Sequence, residues 1–227
     1  MKKEIVIFGS AEIASLAKYY FEHDSDFKVV AFTVDDTYVS GNSLEGLPVV
    51  PFSEACIKYP PSSFGMHVAL SYRGFNKLRQ EKYEQGKRAG YEMVTYINSR
   101  LSSWPDLHLG ENCFILENQT IQPTVKIGHN VVLWSGNHLG HGSQIGSHTY
   151  LASHVVIAGH CKIGERCFLG INCSVKDFTE IGDDCFVGMN AAVTKTLPRG
   201  AVALGQPAEI YLEDDRRARA IKTQFFR

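Results

Sequence analysis

Six histidines, His129, His138, His141, His148, His154 and His160, crowd one stretch of the chain. Imidazoles at that density admit two chemistries. One is a zinc centre, which needs three ring nitrogens converging within about 2.1 Å of one point and an open fourth position. The other is a lone general base that titrates near neutrality. Which applies depends on where the backbone puts each ring.

The same stretch supplies a ruler. From Leu109 through Ile115, Ile121, Ile127 and Leu133 to Val193, every sixth residue is aliphatic. Neither a helix nor a flat strand produces that period. It belongs to a chain that regains its orientation every hexad, three hexads closing one triangular coil of a parallel β-helix. Each aliphatic side chain points into the prism and stacks on the residue one coil, or three hexads, further on. Glycine often follows it (Gly110, Gly128, Gly140, Gly146, Gly164, Gly170, Gly182, Gly188), as expected where the chain turns tightly. Small or β-branched residues stand two positions before it. Five of the six cysteines, Cys113, Cys161, Cys167, Cys173 and Cys185, hold that slot and read as buried spacers; Cys56 has no assigned role.

Stacking by coils places His141 under Gly159, His160 over Gly142, and Ile171 under Met189. No histidine stacks on another, which disfavours a metal site within one chain. Gly140, Gly142 and Gly159 strip side chains from around His141, leaving an imidazole and bare backbone facing a groove. That suits a base with room for a substrate and N–H groups able to receive an oxyanion.

Ahead of the prism, apolar strands over Glu4–Phe8, Lys28–Val34, Leu47–Pro51, Met66–Leu70 and Met93–Ile97 alternate with a helical stretch after Gly9-Ser10, with Ile13, Leu16, Ala17, Tyr20 and Phe21 on one face, and another from Lys77 to Gly90. The pattern predicts a small α/β domain with a parallel sheet, whose ligand sits outside the carboxyl ends of the strands. Those ends are Gly9-Ser10-Ala11-Glu12-Ile13, Asp35-Asp36 and Ser71-Tyr72-Arg73. The first lacks the second glycine of a dinucleotide fingerprint, yet opens a helix that can receive an anion. The paired aspartates suit a ribose or a base edge. Arg79 is open to two readings, a phosphate ligand or a solvated helix face. In the helix that carries it, Leu78 and Tyr83 are expected to face inward.

Residues 1–100 are thus expected to form the α/β domain, 101–212 the β-helix, and 213–227 a charged helical tail, with a crossing near Arg100–Pro105. The 227 residues carry a formal net charge of −1 with mixed signs, so no basic field invites nucleic acid or an anionic membrane. No apolar run suggests a signal peptide or membrane insertion, and the unpaired spacer cysteines suit a reducing cytoplasm.

The segments His141-Gly-Ser-Gln-Ile-Gly146, Ala158-Gly159, Phe168-Leu-Gly-Ile-Asn172, Val187-Gly188 and Gly205-Gln-Pro-Ala208 resemble, in order and spacing, the sugar acyltransferases of the PglD/NeuD type. The resemblance implies a Rossmann-like nucleotide-sugar domain followed by a left-handed hexapeptide-repeat β-helix. It implies homotrimers with active sites between subunits, acetyl-CoA as co-substrate, no metal, and a setting in surface polysaccharide biosynthesis. His141 is then the catalytic base, with an N–H near Gly159 receiving the oxyanion. Tyr150, Gly159, Ile171 and Met189 line the cofactor path, while Gly9, Ser10, Ala11, Glu12, Ile13, Asp35, Asp36 and Ser71 grip the nucleotide sugar. The chain departs from the family in having Glu12-Ile13 where the phosphate-side loop carries glycine and histidine, and Tyr150 where a histidine is common. It also has no acid flanking His141, so Asn137, Asn118 or a neighbouring subunit would have to orient the ring. N-acetylation of a nucleotide-linked amino sugar is the expected reaction. O-acetylation of a sialic acid or similar sugar, a γ-carbonic anhydrase-like zinc enzyme and a non-catalytic scaffold are the alternatives.

Overall fold

A computed structural model describes residues 3–38, 41, 43–206, 209–212 and 214–225. Pro207, Ala208, Glu213 and Phe226, which belong to the expected turn and tail, lie outside these residues.

The first apolar runs form strands β1 (Lys3–Phe8), β2 (Phe27–Val34), β3 (Ser43–Leu44), β4 (Leu47–Pro51), β5 (Gly65–Val68) and β6 (Glu92–Met93), in the order β3-β4-β2-β1-β5-β6. All neighbours pair in parallel except the β3–β4 hairpin. Helices α1 (Glu12–His23), α2 (Phe52–Lys58) and α3 (Lys77–Arg88) connect them. The central β1 is buried on both faces, which accounts for its unbroken Ile5-Val6-Ile7-Phe8 run.

The strand expected over Met93–Ile97 is split. Glu92–Met93 closes the N-terminal sheet, whereas Tyr96–Ile97 pairs with Phe114–Ile115 and begins the prism. The expected crossing at Arg100–Pro105 also contributes to the first rung, since Ser102 bridges to Thr120. From there two-residue strands repeat in parallel at the eighteen-residue offset, as in Val132↔Tyr150 and Tyr150↔Phe168. They form three faces. The first runs from Tyr96–Ile97 to Val202–Ala203, the second from Thr120–Ile121 to Ala192–Val193, and the third from His108–Leu109 to Glu180–Ile181.

The hexad aliphatics and the five spacer cysteines fill the interior as free thiols. A fully buried aliphatic side chain contributes roughly 1.5–3 kcal/mol of transfer free energy. The glycines after the aliphatics have a different cause from the one expected. A Cβ on Gly140 would meet the Ala158 carbonyl carbon at 2.5 Å, so close coil-to-coil approach excludes a side chain there. The left-handed corner lies three residues beyond the aliphatic and is taken mainly by Asn, Asp and His, including His148, His154 and His160. Corner chemistry therefore explains part of the histidine crowding.

The two halves share a core. Tyr96, Phe114, Val132 and Tyr150 of the first face, with Leu116, pack with Ile5, Ile7 and Phe21. α3 is turned differently from the expected inward pair: Tyr83 is buried, but Leu78 is exposed and Arg79 is fully buried. The tail helix α4 (Arg216–Phe225) follows the prism.

Candidate active site

His141 lies at the corner between the second and third faces, with its ring exposed on this single chain. A Cβ on Gly159 would come within 2.8 Å of its Cε1 and 3.0 Å of its Nε2. With Nδ1 at 3.2 Å as well, that position lies over the face of the ring, so the glycine leaves the face of the imidazole uncovered. The His160 ring meets that of His141 edge-on at 4.8 Å, and Phe178 stacks on His160. Counting by coils missed this contact, because the two histidines are nineteen residues apart and meet across a corner.

At such corners a side chain one coil up often caps the N–H below. On the His141 edge Asp177 Oδ1 accepts from Gly159 N, and at the corner between the third and first faces Ser147 Oγ accepts from His129 N and Asp183 Oδ1 from Glu165 N. Above His141 stands Gly159, which has no side chain to offer. Gln122 on the coil below serves instead, its Oε1 lying 2.9 Å from His141 N and 3.1 Å from His141 Nδ1. Asn137, expected as an orienting group, is spent elsewhere: its Oδ1 accepts from Val155 N and its Nδ2 donates to Trp134 O. Asn118 holds a left-handed corner. The expected oxyanion donor also needs correction, because Asp177 already occupies the Gly159 N–H.

The other three cofactor candidates lie together at a different corner. Tyr150, Ile171 and Met189 line an open trough of about 1060 Å³, with Tyr72, Trp134, Phe168, Phe186 and Gly188. Its floor is aromatic: Tyr150 stacks on Phe168 and Phe168 on Phe186, while Tyr72 meets Tyr150 and Phe168 edge-on. Ile171 and Met189 are exposed. Tyr150 is buried, its hydroxyl accepting from Trp134 Nε1, and burial pushes its pKa up to about 12. It acts as wall rather than as a free donor to solvent. The whole second face separates this trough from His141 and Gly159 in one chain.

The N-terminal candidates do gather at strand ends. Gly9 has φ +138°, and a Cβ there would strike the Ala69 carbonyl oxygen at 2.7 Å. Ser10, Ala11 and Glu12 are exposed at the start of α1, whose N-cap, Ala11, makes no side-chain cap bond. Ala14 N donates to Ala11 O, while the N–H groups of Glu12 and Ile13 have no partner among the described residues. Ile13 borders a small recess with His67, Trp134 and Tyr150, linking this mouth to the first face of the prism. Ser71 sits half-buried at the end of the strand region, with its Oγ accepting from Arg73 N. Asp35 and Asp36 have local partners. Lys82 Nζ pairs with Asp35 at 2.8 Å, and Asp36 Oδ1 accepts from Ser53 N, which holds its carboxyl below the usual range.

Arg79 follows neither expected reading. Its guanidinium donates to the carbonyls of Asn130 and His148 and to Asn76 Oδ1, riveting α3 onto a corner of the prism. Asn76, in a left-handed conformation, donates to Arg166 O and Cys167 O on the coil above. Among the described residues no three His, Cys, Asp or Glu side chains converge as a metal-ligand set.

The bacterial transferase hexapeptide model (six repeats) matches residues 124–159 and 160–195. No curated protein matches the chain by sequence. Among solved structures, PerB from Caulobacter crescentus, determined with CoA and GDP-perosamine, is 26% identical with a TM-score of 0.78, covering 92% of this chain and 97% of its own. The acetyltransferase domain of PglB from Neisseria gonorrhoeae, determined with acetyl coenzyme A, shares the fold at 16% identity, TM-score 0.80, covering 93% and 100%. WeeI from Acinetobacter baumannii does so at 22% identity, TM-score 0.61, covering 92% and 100%. The hexapeptide prism thus matches the bacterial transferase repeat, and the α/β domain and prism together are similar to PerB over nearly the full length of both chains.

Proposed function

We infer that the chain transfers the acetyl group of acetyl-CoA to the amino group of a nucleotide-linked amino sugar. The observation that carries this reading is an exposed imidazole whose face lies under a bare glycine, with Nδ1 already engaged and Nε2 without a hydrogen-bond partner among the described residues. The relative solved with CoA and GDP-perosamine supports the substrate classes.

His141 Nε2 takes a proton from the sugar amine as that nitrogen attacks the thioester carbonyl. The tetrahedral adduct then collapses with cleavage of the carbon–sulfur bond, and the imidazolium returns its proton to the departing thiolate. The products are the acetamido sugar and free CoA. The apolar, aromatic trough and its glycine edge suit the pantetheine arm, which has little charge to pair. The uncapped first turn of α1 suits a phosphate.

Because the trough and His141 occupy different corners of one prism, we propose a homotrimer in which the trough of one copy faces the His141 corner of the next. No described helix is long and apolar enough to cross a membrane. We assign the reaction to the cytoplasm, where acetyl-CoA is at hand.

The test is acetyl transfer to a panel of nucleotide-linked amino sugars, read by mass spectrometry. Sugars with a hydroxyl in place of the amine should stay unmodified. General base assistance is typically worth about 10²–10⁴-fold, so His141→Ala should lose turnover on that order while still binding acetyl-CoA. Turnover unchanged in that variant, or no acetylated amine with any acceptor, would overturn the assignment.

A further inference from the structure

We propose that Gln122 is the positioning residue of the acyl-transfer site, holding His141 in the tautomer that carries its proton on Nδ1 and leaves Nε2 free. The proposal rests on the reading of His141 as general base, and a neutral amide here takes the place of the flanking acid that this chain lacks.

Two hydrogen bonds to one atom carry the argument. The His141 backbone N–H can only donate, and it lies 2.9 Å from the terminal amide of Gln122. The amide atom facing it is therefore the oxygen, which resolves the amide's orientation. That same oxygen lies 3.1 Å from Nδ1. Since an amide oxygen only accepts, Nδ1 must be the protonated ring nitrogen. The Nε2 lone pair, in the plane of an exposed ring and without a hydrogen-bond partner among the described residues, is then left for a substrate proton.

The glycine and the glutamine work as a pair. A side chain at position 159 would cover the imidazole and could cap the His141 N–H from above, as Asp177 does for Gly159. Its absence sends both donors of His141 down to Gln122. When Nε2 takes the substrate's proton, the Nδ1–H bond to Gln122 persists and steadies the imidazolium with a dipole instead of a full negative charge.

Histidine-labelled full-length protein, examined by two-bond 1H–15N correlation above neutral pH with His141→Ala to assign the signal, reads the tautomer without any substrate. The native ring should show a protonated Nδ1 and a pyridine-like Nε2. Gln122→Leu should shift it toward the Nε2-protonated form that free imidazole prefers. In turnover, the same variant should lose roughly 10–100-fold in kcat with KM for acetyl-CoA within about two-fold, since a wrong tautomer impairs proton transfer and spares binding. Gln122→Glu should keep most of kcat and raise the acidic limb of kcat/KM by about one pH unit, because a carboxylate favours the imidazolium. An Nε2-protonated native ring, or Gln122→Leu with native tautomer and native kcat, would sink the proposal. If His141→Ala turned over normally, the functional reading would fail while the spectrum still judged Gln122.

Discussion

Arg79 donates to the carbonyl oxygen of His148 at 2.7 Å across the junction between the two halves of the chain, and among the described residues no carboxylate pairs with the buried guanidinium. Peptide dipoles and one asparagine side chain take donors of its two terminal nitrogens while Nε stays buried without a partner, and burial pulls its pKa down to about 10, so the cation persists at neutral pH. Removing it strands Asn130 O and His148 O in a dry interface. Arg79→Met should destabilise the protein by roughly 2–6 kcal/mol, since each of the two buried carbonyls left unpaired costs about 1–3 kcal/mol. Thermal unfolding would measure the loss. A shift in melting temperature no larger than that of an exposed control such as Arg88→Met would contradict the rivet.

Gly159→Ala tests the space over the imidazole. The backbone there is one that alanine can adopt, but the new methyl would press on the His141 ring at 2.8–3.0 Å. Turnover should fall about 10–100-fold, a fraction of what the base supplies. Stability should move by no more than about 1 kcal/mol. Native kcat with an intact fold would mean that turnover does not need the bare space over the His141 ring.

Met189→Asp tests the trough. Met189 is exposed on the single chain, so the fold should tolerate a carboxylate there. A charge set into the apolar wall should raise KM for acetyl-CoA about ten-fold or more, ten-fold being 1.4 kcal/mol, with KM for the sugar unchanged. Calorimetric titration of free CoA separates this from any effect on turnover. Equal affinity in both proteins would remove the cofactor from this corner.

Acid stability should depend on His67. Its Nδ1 donates to Val94 O inside a fully buried aromatic nest, and burial lowers its pKa to about 4. The unfolded chain binds a proton near pH 6.5 and the folded one does not, so stability is complete above that pH. It falls as the pH drops toward 4, by about 3 kcal/mol from this group. His148, whose pKa is lowered to about 4 by burial and then by Arg79, acts in the same direction. Chemical denaturation at pH 7 and pH 4.5 should show a smaller difference in His67→Gln than in the native protein.

The prism was legible because an eighteen-residue repeat admits one register, and the stack of Ile171 beneath Met189 follows from it. The partners of His141 were not. Counting by eighteen finds what lies straight above or below, but Gln122 and His160 reach the ring diagonally, at an offset of nineteen. Arg79 was hidden for another reason. A charged helix face looks the same in sequence whether it meets water or a neighbouring domain's carbonyls, and only the packed assembly distinguishes them. The strand-end aspartates illustrate a third limit: Asp36 is placed where a ligand could reach it, yet its nearest donor is the N–H of Ser53.

Only Val94 and Thr95 separate Met93, at the edge of the N-terminal sheet, from Tyr96, in the first rung of the prism. Two residues in extended pairing on either side give no pivot. The distance from the loops at the carboxyl ends of the N-terminal strands to the His141 edge is therefore fixed like the span of a caliper. Acceptors of different length must be selected by side chains that shorten or lengthen the jaws, since the arms themselves do not swing.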